Sequence, residues 1–329
     1  MSVGLGHQTL VAIGEQSTFG TSVTRTLGLR VKKYGIKRTQ PISQKEVLGH
    51  SSKHINIAGK AVVEGPVSLY LPPEGAAVKM LLKNAFGSIS SPAGTLMDDA
   101  VTTKTTHTFS LTDSLPDAGL SFELDPDSSA TGFALLHDSC KANKFTLNQS
   151  LDDGLILDMD FLGREETEVS ATGGLVYQAL KTFDWDELVV SLAGTELLVE
   201  SLELSVENSL DGDSHKMGSV LRRNIKRKST RSVSGKLTCE MDSDDVMDFY
   251  RALTENTLTA VWTGPQIGLI SAVAQYRTFT LSFPRIVLQG AFNDVSGPGR
   301  IMLDVPFICS PTLDTDASEV TAVLVNTTA

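Results

Sequence analysis

The clearest strand pattern in the chain reads Ile156-Leu157-Asp158-Met159-Asp160-Phe161-Leu162. Apolar and polar side chains alternate along it, and successive side chains of a β-strand point to opposite faces of the sheet. Asp158 and Asp160 therefore share one face, and Leu157, Met159 and Phe161 share the other. The segment predicts a strand with one buried face and one acidic face in water. A wet strand face explains the two carboxylates better than acid–base catalysis does.

The strand has a counterpart in the second half of the chain, Met302-Leu303-Asp304-Val305-Pro306-Phe307-Ile308. Three further blocks recur in the same order: residues 34–36 with 202–204, 65–71 with 235–241, and 144–147 with 278–281. Helix-like stretches follow the second of these pairs and extend to Phe86 and Leu253. Because any β-protein supplies strands that align by chance, only the shared order favours an internal duplication.

The repeated order predicts a mainly β protein built from two tandem domains, each with one α-helix among its strands. The first domain is expected at residues 1–180 and the second at 185–329, joined near Phe183-Asp184-Trp185-Asp186. Residues 88–106 are rich in Ser, Thr, Gly and Ala and have no counterpart in the second half. They are predicted to form a surface insertion of the first domain.

The charge balance limits the classes of partner. The chain of 329 residues has 28 basic and 39 acidic side chains and a net charge of −11. A net acidic protein has no general attraction to DNA, which argues against a DNA-sequence-reading protein but not against a surface along which DNA slides. No secretion signal or membrane anchor is expected. Cys140, Cys239 and Cys309 are widely spaced and are predicted to be reduced, buried thiols.

No catalytic motif can be assembled from the sequence. The six histidines are scattered, and there is no metal-ligand spacing, nucleophile elbow or phosphate-binding loop. Asp211-Gly212-Asp213 lacks the remaining ligands of a calcium loop, and a simple turn explains it better. The sequence therefore predicts a protein that is not an enzyme and has no metal or cofactor.

Two long polar loops occupy equivalent positions in the proposed repeats, at residues 40–56 and 208–221. Compact domains rarely keep loops of this length without a use, and contact with a neighbouring copy is a common one. Idle, flexible loops are the alternative. The candidate contact residues are Gln44, Lys45, Glu46, Asp211, Asp213 and His215.

A basic run lies at residues 222–231. Its candidate residues are Arg222, Arg223, Lys226, Arg227 and Lys228. No aromatic side chains interleave it, as a groove for single-stranded nucleic acid would require. In an acidic chain this pattern favours charge pairing, either internal or with a neighbouring copy, over contact with phosphate.

The start of the chain, Ala12-Ile13-Gly14-Glu15-Gln16-Ser17-Thr18-Phe19-Gly20-Thr21, resembles the start of siphophage major tail tube proteins. Later segments are similar in the same order: a strand at 62–69, a helix at 75–86, a strand opening at 106–109, and the strands at 145–147 and 154–163. The resemblance covers most of the chain. The basic run at 222–231 has no place in the family pattern.

The resemblance implies a structural protein of the virion tail, assembled in the host bacterial cytoplasm into stacked rings around double-stranded DNA in transit. The resemblance further implies that each domain is a small β-sandwich or barrel with a flanking α-helix. Each such domain of the family lends about four strands to an inner barrel, and long loops pack on the next ring. Two domains per chain would give rings of three chains with pseudo-sixfold symmetry, and one lumen-lining domain would give rings of six. Asp158, Asp160 and Asp304 are then candidates for the lumen or a subunit seam.

The resemblance also implies partners, namely further copies of the chain and the tape measure, tail terminator and tail tip proteins. DNA would pass without sequence-specific binding. Two alternatives stay open: an inner tube of a contractile tail or secretion system, and a virion-surface β-module, such as a capsid decoration or adhesin, that forms no tube.

Overall fold

The computed structural model describes residues 9–46, 48, 52–53, 55–113, 115–126, 133–177, 181–240, 245–290, 301–311 and 318–328. The chain is mainly β, as the alternating sequence pattern predicts. The first half contains helix α1 (Ala76–Phe86) and fifteen strands: β1 (Leu10–Glu15), β2 (Leu27–Leu29), β3 (Lys33–Tyr34), β4 (Lys37–Thr39), β5 (Ile42–Lys45), β6 (Ile55–Ala58), β7 (Val62–Tyr70), β8 (Gly87–Ser90), β9 (Thr95–Leu96), β10 (Thr103–Leu111), β11 (Leu120–Asp125), β12 (Ala134–Ser150), β13 (Ile156–Gly163), β14 (Glu165–Val169) and β15 (Val176–Tyr177).

The second half opens on a short 3₁₀ helix (Trp185–Glu187) and contains helix α2 (Asp245–Ala252). Its strands are β16 (Leu188–Leu192), β17 (Thr195–Leu197), β18 (Val199–Glu207), β19 (Ser232–Glu240), β20 (Asn256–Ile270), β21 (Val273–Leu288), β22 (Met302–Cys309) and β23 (Thr321–Asn326).

Six strands form the centre of one continuous antiparallel row, in the order β7–β13–β12–β18–β19–β22. Strands β3 and β4 extend the row beyond β7, and the last residues of β21 extend it beyond β22. The row therefore contains two groups of four strands, β3/β4–β7–β13–β12 and β18–β19–β22–β21. They are joined where β12 pairs with β18, from Lys144 opposite Glu207 to Ser150 opposite Ser201.

The two groups have the same register. Gly65 lies opposite Phe161 in the first group, and Gly235 lies opposite Phe307 in the second. The recurring blocks in the sequence follow this match, because residues 34–36 lie opposite 65–67 and residues 202–204 lie opposite 235–237. One block departs from it. Residues 144–147 pair with β13 and β18, whereas residues 278–281 pair with β20 and β23, so these two segments do not have equivalent neighbours.

Long strands connect this row to further sheet layers. Near Ala142 the pairing of β12 shifts at a bulge, and its earlier residues pair with β11 and β14 instead. Likewise β21 pairs with β20 and β23 over its first part and with β22 only over its last residues. A bulge bends a strand, which allows one strand to serve two layers. Apolar side chains between the layers form one contiguous core across both halves.

The segment at residues 88–106, which is predicted to form a surface insertion, contains parts of β8, β9 and β10. Its ends belong to strands, since β8 and β10 pair with each other from Gly87 opposite Leu111 to Ser90 opposite Thr108. The polar composition concealed an alternation in β10 that buries Thr105, His107 and Phe109. The last strand, β23, lies between β10 and β21, so an element of the second half pairs with the first. The boundary near residue 183 stays a prediction.

Helix α1 covers the core with Val78, Leu81, Leu82 and Ala85, which follow the spacing of one helical face. It ends at Gly87, whose left-handed φ of 103° would strain any residue with a Cβ. Helix α2 follows β19 as α1 follows β7. The sequence pattern extended it to Leu253, but Leu253 has a φ of 49°, lies beyond the helix and is exposed.

Gly235 offers a direct test of the β19–β22 pairing. A Cβ at this position would lie 2.2 Å from Phe307 Cζ and 2.6 Å from the Glu203 carbonyl oxygen. We expect Gly235→Ala to lower the free energy of unfolding by about 1–3 kcal/mol, the usual cost of overpacking. The neighbouring Ser234→Ala, at an exposed position, should change it by less than about 0.5 kcal/mol. Urea denaturation of both variants measures the difference, and equal stabilities would contradict the packing of Phe307 on Gly235.

Candidate functional site

The solvent face of the strand row carries the predicted acidic residues. Asp158 and Asp160 are exposed on β13, opposite Ser68 and Pro66 of β7, while the alternating residues Leu157, Met159 and Phe161 are buried. Asp304 occupies the position in the second group that Asp158 has in the first, opposite Thr238 of β19. The structure therefore brings all three onto one sheet face.

Sequence reasoning missed further acids on this face. Glu203 and Glu207 are exposed on β18, where Leu202, Leu204 and Val206 are buried. The signal that could have found them is the same alternation that identified Asp158. The exposed charged side chains along the face of the strand row are Glu64, Asp158, Asp160, Glu203, Glu207, Asp304, Lys33, Lys37, Lys144 and Lys236. Acidic residues outnumber basic ones.

The three predicted aspartates differ in their partners. Asp304 accepts hydrogen bonds from Lys236 Nζ at 2.9 Å and from Thr238 Oγ1 at 2.8 Å, and these bonds hold the pKa of its carboxyl below the usual value. Asp158 and Asp160 form no ion pair with the residues that the structure describes. The charge on β13 is therefore less compensated than the charge on β22.

The first predicted contact loop is a β-hairpin beyond the end of the sheet. Strands β5 and β6 pair only with each other, and all of their residues are exposed. Gln44 and Lys45 lie on β5, and Glu46 follows it and forms an exposed ion pair with Lys53 at 3.3 Å. At the base of the hairpin, the Gly59 N–H donates to the Pro41 carbonyl at 2.8 Å.

The second loop packs against the base of this hairpin. Asp213 accepts a hydrogen bond from Lys60 Nζ at 2.6 Å, which lowers the pKa of its carboxyl. The His215 side chain is almost fully buried, with Nε2 3.0 Å from the Ala61 carbonyl oxygen. Asp211 lies at the start of the same loop and is half-buried. The structure thus brings both predicted loops to one end of the sheet, where Asp213 and His215 hold the second loop in place.

Arg222 of the basic run is buried and joins three segments of the chain by hydrogen bonds. Its guanidinium donates to three carbonyl oxygens, those of Val63 at 2.6 Å, Gly163 at 2.8 Å and Gly212 at 2.7 Å. It also forms an ion pair with Glu64 at 3.2 Å. The carbonyls belong to β7, to the end of β13 and to the second loop. Arg222 therefore ties a segment of the second half to the strand row of the first.

The other residues of the run do not share this environment. Arg227 donates to the carbonyl oxygens of Thr112 and Asp113 at 3.0 and 2.6 Å. Arg223, Lys226 and Lys228 are exposed and form no ion pair with any residue in the described part of the chain. Among the described residues of the run, the ion pairs are those of Arg222 with Glu64 and of Arg231 with Glu319 at 2.5 Å. Charge pairing of the other named residues stays a prediction.

The described residues contain no group of three or more His, Cys, Asp or Glu side chains that could hold a metal ion. Burial raises the pKa of the Cys239 and Cys309 thiols to about 11 and about 12, and that of Cys140 still further. These thiols are therefore protonated at neutral pH and weak as nucleophiles. None of the helices in the described residues is long and apolar enough to cross a membrane.

Nearly the whole chain matches one known protein family. The family model described as "Phage tail tube protein" matches residues 6–309, which is most of the 329-residue chain. A search of curated proteins gives no match. The family match points to a structural building block of the virion tail. The chain therefore belongs to the phage tail tube protein family and is a structural component of a phage tail.

Proposed function

We propose that the chain is the major tail tube protein of a long, non-contractile phage tail and that it polymerises into stacked rings around the DNA. The observation that carries the proposal is the pair of four-strand groups with matching register. In this proposal each group is one tube domain, and the β12–β18 pairing joins the two within a ring. A tube built of such groups has no exposed strand edges around its circumference.

The same observation supports rings of three chains. If each chain supplies two four-strand groups, three chains provide six groups with pseudo-sixfold symmetry. Six chains per ring is the alternative, in which one group lines the lumen and the other does not. The continuous pairing across β12 and β18 favours the ring of three, because it places both groups in the same sheet.

One edge of the row is available for the next chain. Strands β3 and β4 pair only with β7 among the described strands, and Lys37, Arg38 and Thr39 are exposed. Their register equivalent, β18, is covered by β12. We infer that another copy covers β4 as β12 covers β18. The Glu166 carboxylate, which accepts a hydrogen bond from the Arg38 N–H at 3.0 Å, has to release it on pairing.

The acidic sheet face is proposed to line the lumen. Carboxylates repel DNA phosphates, so a face rich in Asp and Glu keeps the genome from adhering to the wall as it passes. Assembly is proposed to take place in the host cytoplasm, with the tape measure, tail terminator and tail tip proteins as partners. DNA passes without sequence-specific contacts.

The lumen assignment predicts a defect in DNA passage without a defect in assembly. We expect Asp158→Lys with Asp160→Lys to leave tail length and particle yield unchanged and to lower infectious titre at least about tenfold, because the new cations hold phosphate. Titre and DNA release from purified particles measure the effect. Glu168→Lys is the matched control, since Glu168 is also exposed but lies on β14, outside the strand row. Normal DNA release from intact particles of the double variant would contradict the assignment.

Electron microscopy of the purified protein separates this proposal from a virion-surface module. We expect negative staining to show rings or hollow tubes. A protein that stays monomeric at every concentration, while binding capsids or cells, would overturn the proposal in favour of a decoration or adhesin module.

A further inference from the structure

The end of the molecule opposite the exposed hairpin carries a groove that is lined by exposed apolar and acidic side chains. The groove has a volume of about 520 Å³ and lies between the β16–β17 hairpin, the start of β18 and the end of β12. Trp185, Val189 and Leu198 line it and are exposed, Trp185 by 43%. Large apolar side chains grouped on a surface in this way mark a contact with another molecule.

The walls of the groove are negatively charged. Asp186, Glu196 and Glu200 line it, are exposed and form no ion pair with the residues that the structure describes. A second hollow of about 460 Å³ shares Trp185 and Asp186 with the groove and adds Asp152, Asp153 and Asp184. No Lys or Arg is among the described residues that line either hollow.

The surface near the β5–β6 hairpin carries exposed apolar side chains and the charge opposite to that of the groove. We define the hairpin end as the β5–β6 hairpin with residues 211–223 beside it. Its exposed apolar side chains are Ile42, Leu48, Ile55, Ile57, Met217 and Val220. Of its acids, Glu46 and Asp213 are paired with lysines and Asp211 is half-buried, whereas Lys45, Lys216 and Arg223 form no ion pair with described residues. The hairpin end is therefore apolar with an excess of positive charge.

The two surfaces lie at opposite ends of the same strands. Strand β7 begins at Val62, next to the hairpin, and ends at Tyr70, which lines the second hollow. Strand β18 runs the other way, from Val199 in the groove to Glu207, beside the second loop. A nine-residue strand spans about 30 Å, so the hairpin end of a chain does not reach its own groove.

The hairpin itself requires a partner surface. A two-stranded hairpin with both faces in water is at best marginally stable, and β5 and β6 expose every residue. Each face of the hairpin presents isoleucine, Ile42 on one and Ile55 and Ile57 on the other. Burial of these side chains in another molecule supplies the stability that the free hairpin lacks.

We infer that the groove is the receptor for the hairpin end of a second copy of this chain. Opposite charges, apolar surfaces on both sides and placement at opposite ends of the strands give a head-to-tail contact that repeats without closing. The inference rests on the proposed tube function, because the contact is the one that stacks one ring on the next. It adds an acceptor surface to the donor loops named above.

The fluorescence of Trp185 can detect the contact in the wild-type protein. The chain has two tryptophans, and Trp262 is already buried in the core. In the monomer, we expect acrylamide to quench the fluorescence of Trp185. In assembled tubes, we expect this quenching to be at least about threefold weaker and the emission to be blue-shifted. The Trp185→Phe variant should lose this difference. Tubes in which Trp185 stays as accessible as in the monomer would overturn the groove assignment and leave the tube function standing.

Reciprocal charge reversal identifies the occupant. Glu196→Lys with Glu200→Lys should raise the critical concentration for tube formation at least about tenfold, and Lys45→Glu with Lys216→Glu should do the same. Combining all four should restore it to within about threefold of the wild type. Circular dichroism of each variant checks that the surface changes leave the fold intact. Failure of the combined variant to recover would assign the groove to another occupant. Failure of the wild type to form rings or tubes at all would overturn the proposed function and, with it, this inference.

Discussion

Replacing Arg222 with alanine is expected to lower the free energy of unfolding by about 2–5 kcal/mol, the largest effect of any single substitution considered for this chain. The carbonyl oxygens of Val63 and Gly163 lose their donor at a buried position, and that of Gly212 loses its donor at a partly buried one. A buried acceptor left without a partner costs about 1–3 kcal/mol. The substitution also removes the contacts of Arg222 with β7 and β13, so the second loop should become more susceptible to proteases.

Arg223→Ala is the matched control, because Arg223 carries the same charge one residue away but is exposed and unpaired among described residues. It should change stability by less than about 0.5 kcal/mol. Arg222→Lys keeps the charge but lacks the planar fork that reaches several carbonyls, so it should recover only part of the loss. Urea denaturation of the monomeric variants measures all three. Equal urea midpoints for the Arg222→Ala and Arg223→Ala variants would show that the hydrogen bonds of Arg222 do not stabilise the fold.

Removing the β5–β6 hairpin is expected to abolish tube formation and to leave the fold intact. The deletion can be closed cleanly, because Pro41 and Gly59 are already joined by a 2.8 Å hydrogen bond, and two glycines can replace residues 42–58. Full burial of one isoleucine contributes about 1.5–3 kcal/mol. Since about 1.4 kcal/mol is a factor of ten in an equilibrium constant, loss of Ile42, Ile55 and Ile57 should raise the critical concentration at least about a hundredfold.

Sedimentation and negative-stain microscopy measure assembly of the deletion variant, and circular dichroism with thermal unfolding checks its fold. Its melting temperature should match that of wild-type monomers, because the residues of β5 and β6 are exposed. The milder Ile55→Ser with Ile57→Ser variant keeps the backbone and should show an intermediate loss of assembly. Normal tubes from the deletion variant would exclude the hairpin from the stacking contact.

Alternation at period two was sufficient to predict much of the fold and of the acidic face. It placed Asp158 and Asp304 on strands, and the ordered blocks matched the register of Gly65 with that of Gly235. The same alternation in β18 also predicts that Glu203 and Glu207 are exposed. The match between 144–147 and 278–281 failed because strand patterns are alike whichever neighbours a strand has, and pairing partners are set by the whole sheet.

The role of Arg222 could not be predicted from its neighbours in sequence. A run of basic residues has the same sequence pattern whether its members are exposed or buried. Arg222 differs from Arg223 only in the carbonyl groups that the folded chain places around it. The Trp185 groove was equally hidden, since Asp186, Glu196 and Glu200 are brought together by the β16–β17 hairpin and the start of β18. Features made by contacts between distant segments leave no local pattern in the sequence.

A helical reconstruction of tubes assembled from the purified protein tests the central claim most directly. The claim is that each chain supplies two register-matched groups of four strands to one ring, joined at β12 and β18. We expect three chains per ring and six similar four-strand groups around the lumen, with Asp158 and Asp304 on the inner face. Six chains per ring, each lining the lumen with one group and holding the other outside, would contradict it.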